Sequence, residues 1–133
     1  MKEEFIIEIK DVHKSFSSKE VHTGVTLPIR RGETITVLGG SGTGKSVLLK
    51  EVTGLIKPDR GKVIIEGEDI VPMDEGDLIH VRKKIGMLFQ GAALFDSLTV
   101  AENIAYPLRE HSKHTENEIK EIVAKNLELV GLP

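Results

Sequence analysis

Residues 37–50, "VLGGSGTGKSVLLK", mark the point where one kind of pattern ends and another begins. The apolar run Thr34 to Leu38 predicts a strand, and it stops at Gly39. From Lys45 the apolar residues Val47, Leu48, Val52 and Leu55 recur at spacings of one, four and three, as on one face of a helix. Between strand and helix, Gly39, Gly44, Lys45 and Ser46 occupy the fixed positions of a phosphate-binding loop: glycine, four residues of any type, glycine, lysine, serine. The chemistry explains the residue types. Phosphate oxygens are best surrounded by backbone N–H groups, and side chains at the tight positions would block that approach. A helix that starts at the same place turns its unpaired N–H groups and positive dipole end toward the anion. Lys45 is then placed for the β- and γ-phosphates, and Ser46 offers a hydroxyl to Mg²⁺. The alternative is a plain glycine-rich turn, and the strand before and helix after weigh against it.

Composition sets the frame. The chain has 133 residues, the size of one ordinary domain, with no cysteine and a net charge of −3. A slightly acidic balance gives no support to nucleic acid as a partner, and the lack of cysteine excludes a disulfide scaffold or thiolate metal site. The start "MKEEFIIEIKDV" has acidic residues close behind Met1 and alternates, unlike a signal peptide. No run approaches the roughly 18 apolar residues of a membrane span.

Elsewhere, Phe5, Ile7 and Ile9 alternate as in a strand, and residues 21–30 predict a second, with Pro28 pointing to an edge. "KSFSSKE" between them is read as a turn. "KVIIEG" (62–67) predicts a strand closing on a glycine turn, and "MDEGDLIHVRKK" a short helix at best. "IGMLFQ" (85–90) is read as a compact buried strand, and Val100–Leu108 as an apolar segment cut by Pro107. Thr115 is the expected N-cap of a last helix, with Glu118 at the capping-box position. There is no internal repeat and no linker.

A phosphate loop does not make a hydrolase. A second carboxylate must hold the metal, and something must orient water. Glu66 follows too soon after the loop helix and runs into a turn; Asp69 and Asp11 are no better placed. Gln90, at the end of "IGMLFQ", is positioned as a sensor of metal and water, or as the cap of a local turn. Phe16 is a core residue beneath the first hairpin or a stacking surface for a base, and residue type alone favours the core.

Two longer blocks carry a resemblance. "GGSGTGKSVLLKEVTGLIKPDRGKVIIEGEDI" and "RKKIGMLFQGAALFDSLTVAENIAYPL" resemble the N-terminal half of an ATP-binding cassette (ABC) transporter ATPase, over essentially all 133 residues. The implied fold is α/β: a truncated P-loop core with antiparallel β subdomain strands over residues 1–97, and the start of a helical subdomain over 98–133. The implied activity is that of an ATPase with ATP and Mg²⁺ as cofactors. The resemblance gives Phe16 the adenine-stacking role, reversing the preference for the core. It assigns Gly39, Gly40, Ser41, Gly42, Thr43, Gly44, Lys45, Ser46 and Val47 to the nucleotide, and Gln90 with Ser46 to the metal. Lys45 and Gln90 become the catalytic candidates. Ala92–Leu98 fall where a transmembrane partner docks, giving Leu94 and Phe95 an interface reading beside that of anchoring their own loop.

"MLFQGAALFDSLTVAENIAYPLREH" further resembles the ATP-binding subunits that move phospholipid between bacterial membranes. The implied partners are a permease, a second copy of the ATP-binding subunit and a periplasmic lipid-binding protein. The implied place is the cytoplasmic face of the inner membrane. The family's signature, metal-holding aspartate, catalytic glutamate and switch histidine have no counterpart here, so the chain is read as a fragment, inactive in sustained hydrolysis and expected to associate through open strand edges. The alternatives are a phosphate-loop ATPase of DNA repair or translation, and a regulatory module that senses nucleotide.

Overall fold

The alternation at Phe5, Ile7 and Ile9 does form a strand, and it runs further than the pattern suggests. In the computed structural model, which describes residues 4–132, β1 extends over Phe5–Phe16 and β2 over Lys19–Arg30, antiparallel. Met1 and the residues directly behind it, on which the reading of the chain's start rests, lie outside the described residues. The turn narrows to Ser17 and Ser18, with Ser17 at φ 53°. Residues counted as turn in the sequence become strand because each side supplies a ladder partner: Phe16 faces Lys19, and Lys14 faces His22.

β3 (Arg60–Ile65) pairs with the other side of β1, and the two-residue β4 (Glu68–Asp69) pairs with β3, giving the order β2-β1-β3-β4. Pro28 therefore lies on an edge strand, opposite Glu8, where its missing N–H breaks no interior ladder.

Two helices cover this sheet. α1 (Lys45–Val52) contributes Leu48, and α2 (Glu75–Arg82) contributes Leu78 and Val81, to a core with Ile9, Val12, Val63, Ile65 and Ile70. The short helix in "MDEGDLIHVRKK" is real: Asp74 caps it by accepting from the N–H of Asp77 at 2.8 Å. α2 also closes the far end of α1. Arg82 donates to the carbonyls of Thr53 (3.0 Å) and Gly54 (3.1 Å), which the helix end leaves without intrahelical partners, and Glu75 holds the guanidinium at 2.7 Å.

The described residues divide into two compact units between Gly86 and Met87. The second contains α3 (Val100–His111) and α4 (Glu116–Leu129), packed through Ala105, Ile119 and Val123. Both start with a capping box, Thr99 with Glu102 and Thr115 with Glu118. The second was expected. Pro107 does not cut α3, which continues to His111.

Two expected strands are not strands. Thr34–Leu38 and residues 85–90 are extended or irregular and pair with nothing among the described residues. Leu38 is 87% exposed and Leu88 89%. The apolar pattern is present in both, but backbone N–H and C=O groups without a neighbouring strand form no ladder.

Candidate phosphate-binding site

The loop between the extended segment and α1 has the geometry its sequence requires. Gly44, the N-cap of α1, sits at φ 98°, and Gly42 at φ 76°. At Gly44 conformation and space agree: a Cβ there would lie 2.8 Å from His22 Nε2 and closer still to Val21, so no other residue fits. A Cβ at Gly39 would meet the Thr43 hydroxyl at 2.8 Å. Thr43 Oγ1 donates to the Gly40 carbonyl at 2.8 Å and closes the bend. The backbone N–H groups from Gly39 to Val47 donate to no acceptor among the described residues, while the carbonyls of Gly39, Gly40, Gly42 and Gly44 are all engaged. Lys45 folds back over the loop, donating to the carbonyls of Gly39 and Gly40 at 2.6 Å each. Donors are free and acceptors are occupied, which is the pattern an anion requires.

The start of β2 braces the loop. Lys19 donates to the Gly42 carbonyl at 3.0 Å, and His22 lies 3.0 Å from the Gly44 carbonyl. Phe16 is Lys19's ladder partner, so the β1–β2 turn carries the aromatic on the hairpin end that contacts the loop. Phe16 is 43% exposed, with Lys14 Nζ 5.2 Å from its ring centre. It is not a core residue, as residue type alone suggested.

Behind the loop lies a group that the sequence reading passed over. Glu51 of α1 is 1% exposed, and one of its oxygens is 3.0 Å from His22 Nδ1. The contact is short but not aligned as a hydrogen bond, so His22 Nδ1 and both Glu51 oxygens are buried without a hydrogen-bond partner among the described residues. Burial pushes the Glu51 carboxyl above its ordinary range, and the neighbouring His22 offsets part of this. A signal was available: Glu51 stands three residues after Leu48 and four before Leu55, on the apolar side of the helix.

The other candidates fall elsewhere. Gln90 is exposed, in a turn of the second unit where the Ala92 N–H donates to the Phe89 carbonyl at 3.0 Å. Glu66 sits at φ 47° in the β3–β4 turn, where the hydrogen bond and charge of Lys84 hold its carboxyl below the usual range. Asp11 is likewise lowered, by hydrogen bonds from Arg60 and His13. Both are surface ion-pair members. No cluster of three metal-ligating side chains occurs among the described residues. Phe95 packs on Tyr106, ring centres 4.9 Å apart, and Asn103 ties the preceding loop to α3 through the Phe95 backbone, whereas Leu94 is 67% exposed. Anchoring thus describes Phe95 better than Leu94.

A glycine loop closing on lysine and serine at a helix start is the make-up of a phosphate-loop core, and likeness to solved structures makes it a truncated P-loop core of the ABC type with an antiparallel β subdomain and the start of a helical one. Comparison with known proteins agrees. The description of the ABC transporter family matches residues 22–133. The probable ribonucleotide transport ATP-binding protein mkl of Mycobacterium leprae is 48% identical over 126 residues, 95% of this chain and 36% of that protein. The intermembrane phospholipid transport system ATP-binding protein MlaF of Haemophilus influenzae is 37% identical over 127 residues, 96% of this chain and 48% of that protein. Among solved structures, the dimeric MJ0796, a bacterial ABC transporter cassette, superposes with a TM-score of 0.84 at 30% identity, covering 92% of this chain and 56% of that one. The chain belongs to the ABC transporter family. It spans between about a third and a half of the length of these curated relatives.

Proposed function

We propose that this chain carries the phosphate-binding part of an ABC transporter ATP-binding subunit, with ATP and Mg²⁺ as its cofactors. The observation that carries the reading is the row of amides from Gly39 to Val47 without partners among the described residues, with Lys45 and Ser46 at its helical end. In this reading the amides and the Lys45 ammonium take the terminal phosphates, with Gly40, Ser41 and Thr43 shaping the bend. Ser46 and Gln90 are the metal-side groups, and Phe16 offers a π face to adenine. Bound Mg²⁺ supplies charge neutralisation at the β- and γ-phosphate oxygens. Lys45 leaves two carbonyl acceptors for phosphate oxygens, exchanging neutral partners for charged ones.

Hydrolysis, and its coupling to transport through a permease and a second ATP-binding subunit, are proposed for the whole protein, peripheral to the inner face of a bacterial inner membrane. No helix among the described residues is long and apolar enough to cross a membrane. The cargo proposed is phospholipid, supported by the likeness to MlaF, with a periplasmic lipid-binding protein as a further partner. A ribonucleotide cargo is the second reading, supported by the likeness to the mycobacterial ribonucleotide transport protein. Residues 98–133 are proposed to begin the helical subdomain.

Calorimetric titration with Mg-ATP tests the central claim. Lys45→Ala should weaken binding about 10- to 100-fold, the worth of a lost charge-assisted contact. Equal affinity of variant and wild type, or no binding by either, would overturn it.

A further inference from the structure

Gly44 is the hinge on which loop becomes helix, and its carbonyl has two neighbours. The Leu48 N–H donates to it at 3.0 Å as the first helical bond, and His22 Nε2 stands 3.0 Å away. A carbonyl oxygen only accepts, so Nε2 must carry a hydrogen and donate. That settles one side of the imidazole. On the other, Nδ1 is 3.0 Å from Glu51 Oε2, with the two side chains 5% and 0% exposed. A bare ring nitrogen facing a bare carboxylate in a dry interior would set lone pair against lone pair and leave an uncompensated charge. The pair therefore carries one proton beyond the Nε2–H, on Nδ1 beside a carboxylate or on Glu51 beside a neutral ring. In either form the pair is neutral overall and the Nε2–H is retained.

We propose that His22 and Glu51 are positioning residues for the phosphate loop: the close, buried Nδ1–Oε2 contact holds the imidazole so that its Nε2–H engages the Gly44 carbonyl, and with it the amides of Lys45 and Ser46. The linkage runs from the edge strand β2 through Gly44 to the first turn of α1 and returns through Glu51 on the same helix. A loop stiffened in this way loses less freedom when it takes an anion. The consequence for nucleotide affinity rests on the phosphate-site reading above; the consequence for the loop does not.

The test uses the full 133-residue chain and two readouts: hydrogen exchange at the Leu48 amide without nucleotide, and Mg-ATP affinity. His22→Leu should speed Leu48 exchange and weaken Mg-ATP, each about 10-fold. His22→Gln places an amide N–H near the Nε2 position and should bring both within about threefold of wild type, whereas His22→Asn, reaching only the Nδ1 position, should not. Glu51→Gln keeps a donor toward Nδ1 and should resemble wild type; Glu51→Leu should resemble His22→Leu. If His22→Leu does not fold, the glutamine and asparagine variants decide between them, and equal behaviour of those two overturns the proposal. Wild-type exchange and affinity in His22→Leu does so directly. Should wild type fail to bind Mg-ATP, the phosphate reading falls while Leu48 exchange still decides this one. Should Lys45→Ala lose binding and His22→Leu keep it, the reverse holds.

Discussion

Val63 and Leu38 belong to segments of nearly the same chemistry, "KVII" and "TITVL", yet Val63 is fully buried and Leu38 is 87% exposed. Residues 62–65 have what a strand needs on every side. β1 supplies the ladder, with Ile9 facing Val63 and Ile7 facing Ile65, and the core of Leu48 and Leu78 covers the same residues. Residues 34–38 have no ladder partner among the described residues, and their apolar side chains stay exposed. Strand propensity expresses fit to a neighbour rather than an intrinsic backbone preference. The alternating half of the molecule acquires its partners within the first 70 residues; the segment leading into the phosphate loop does not.

The comparison breaks most visibly at Leu78. This side chain is fully buried and wedges against Gly54, where an added Cβ would come within 2.8 Å of it. Leu78→Ala should cost about 3 kcal/mol in urea unfolding, since it removes buried methyl groups and opens a cavity. A loss below about 1 kcal/mol would mean that α2 does not pack tightly on α1, and that the well-packed half is no better packed than the loop segment.

How much could be read in the sequence follows the same division. The phosphate loop was legible because its glycines, lysine and serine are fixed by local geometry that no distant residue alters. Thr115 with Glu118 was legible for the same reason, since a capping box closes within four residues. Thr34–Leu38 and residues 85–90 were misread because a strand is a pairing, and apolar pattern says nothing about who the partner is. β1 was drawn too short because its outer part, Asp11 to Phe16, is mostly polar and breaks the alternation, and is held by ladder partners on β2 and β3. Glu51 has a helix-face signal in its spacing from Leu48, but His22 alone carries none, and only the fold places the two 3.0 Å apart.

A smaller effect separates the packed half from the exposed one by pH. Burial raises the Glu51 carboxyl, so the folded chain holds that proton more tightly than the unfolded chain. The stabilisation is therefore complete below the unfolded carboxyl range and fades as pH rises through the raised folded value. Glu51→Gln removes this dependence, so its melting temperature relative to wild type should be higher at pH 8 than at pH 5. The other charges acting on the carboxyl are His22, which lowers it and accounts for the pair above, then Lys14 and Asp59, which pull in opposite directions. A variant whose difference from wild type is the same at both pH values would show that Glu51 is hydrated.

The smallest expected change is the most informative about residues 34–38. Leu38→Ser alters a side chain that is already in water, so urea unfolding should move by no more than about 0.5 kcal/mol. If it moves by as much as Leu78→Ala, Leu38 is covered in solution by something outside this chain's own fold. A second copy is the natural candidate, because unpaired backbone in an extended apolar segment is a template for edge-to-edge association. Concentration dependence then separates the cases. Covering by a second copy makes the wild-type midpoint rise with protein concentration and the Leu38→Ser midpoint rise less, whereas a segment free in water leaves both flat.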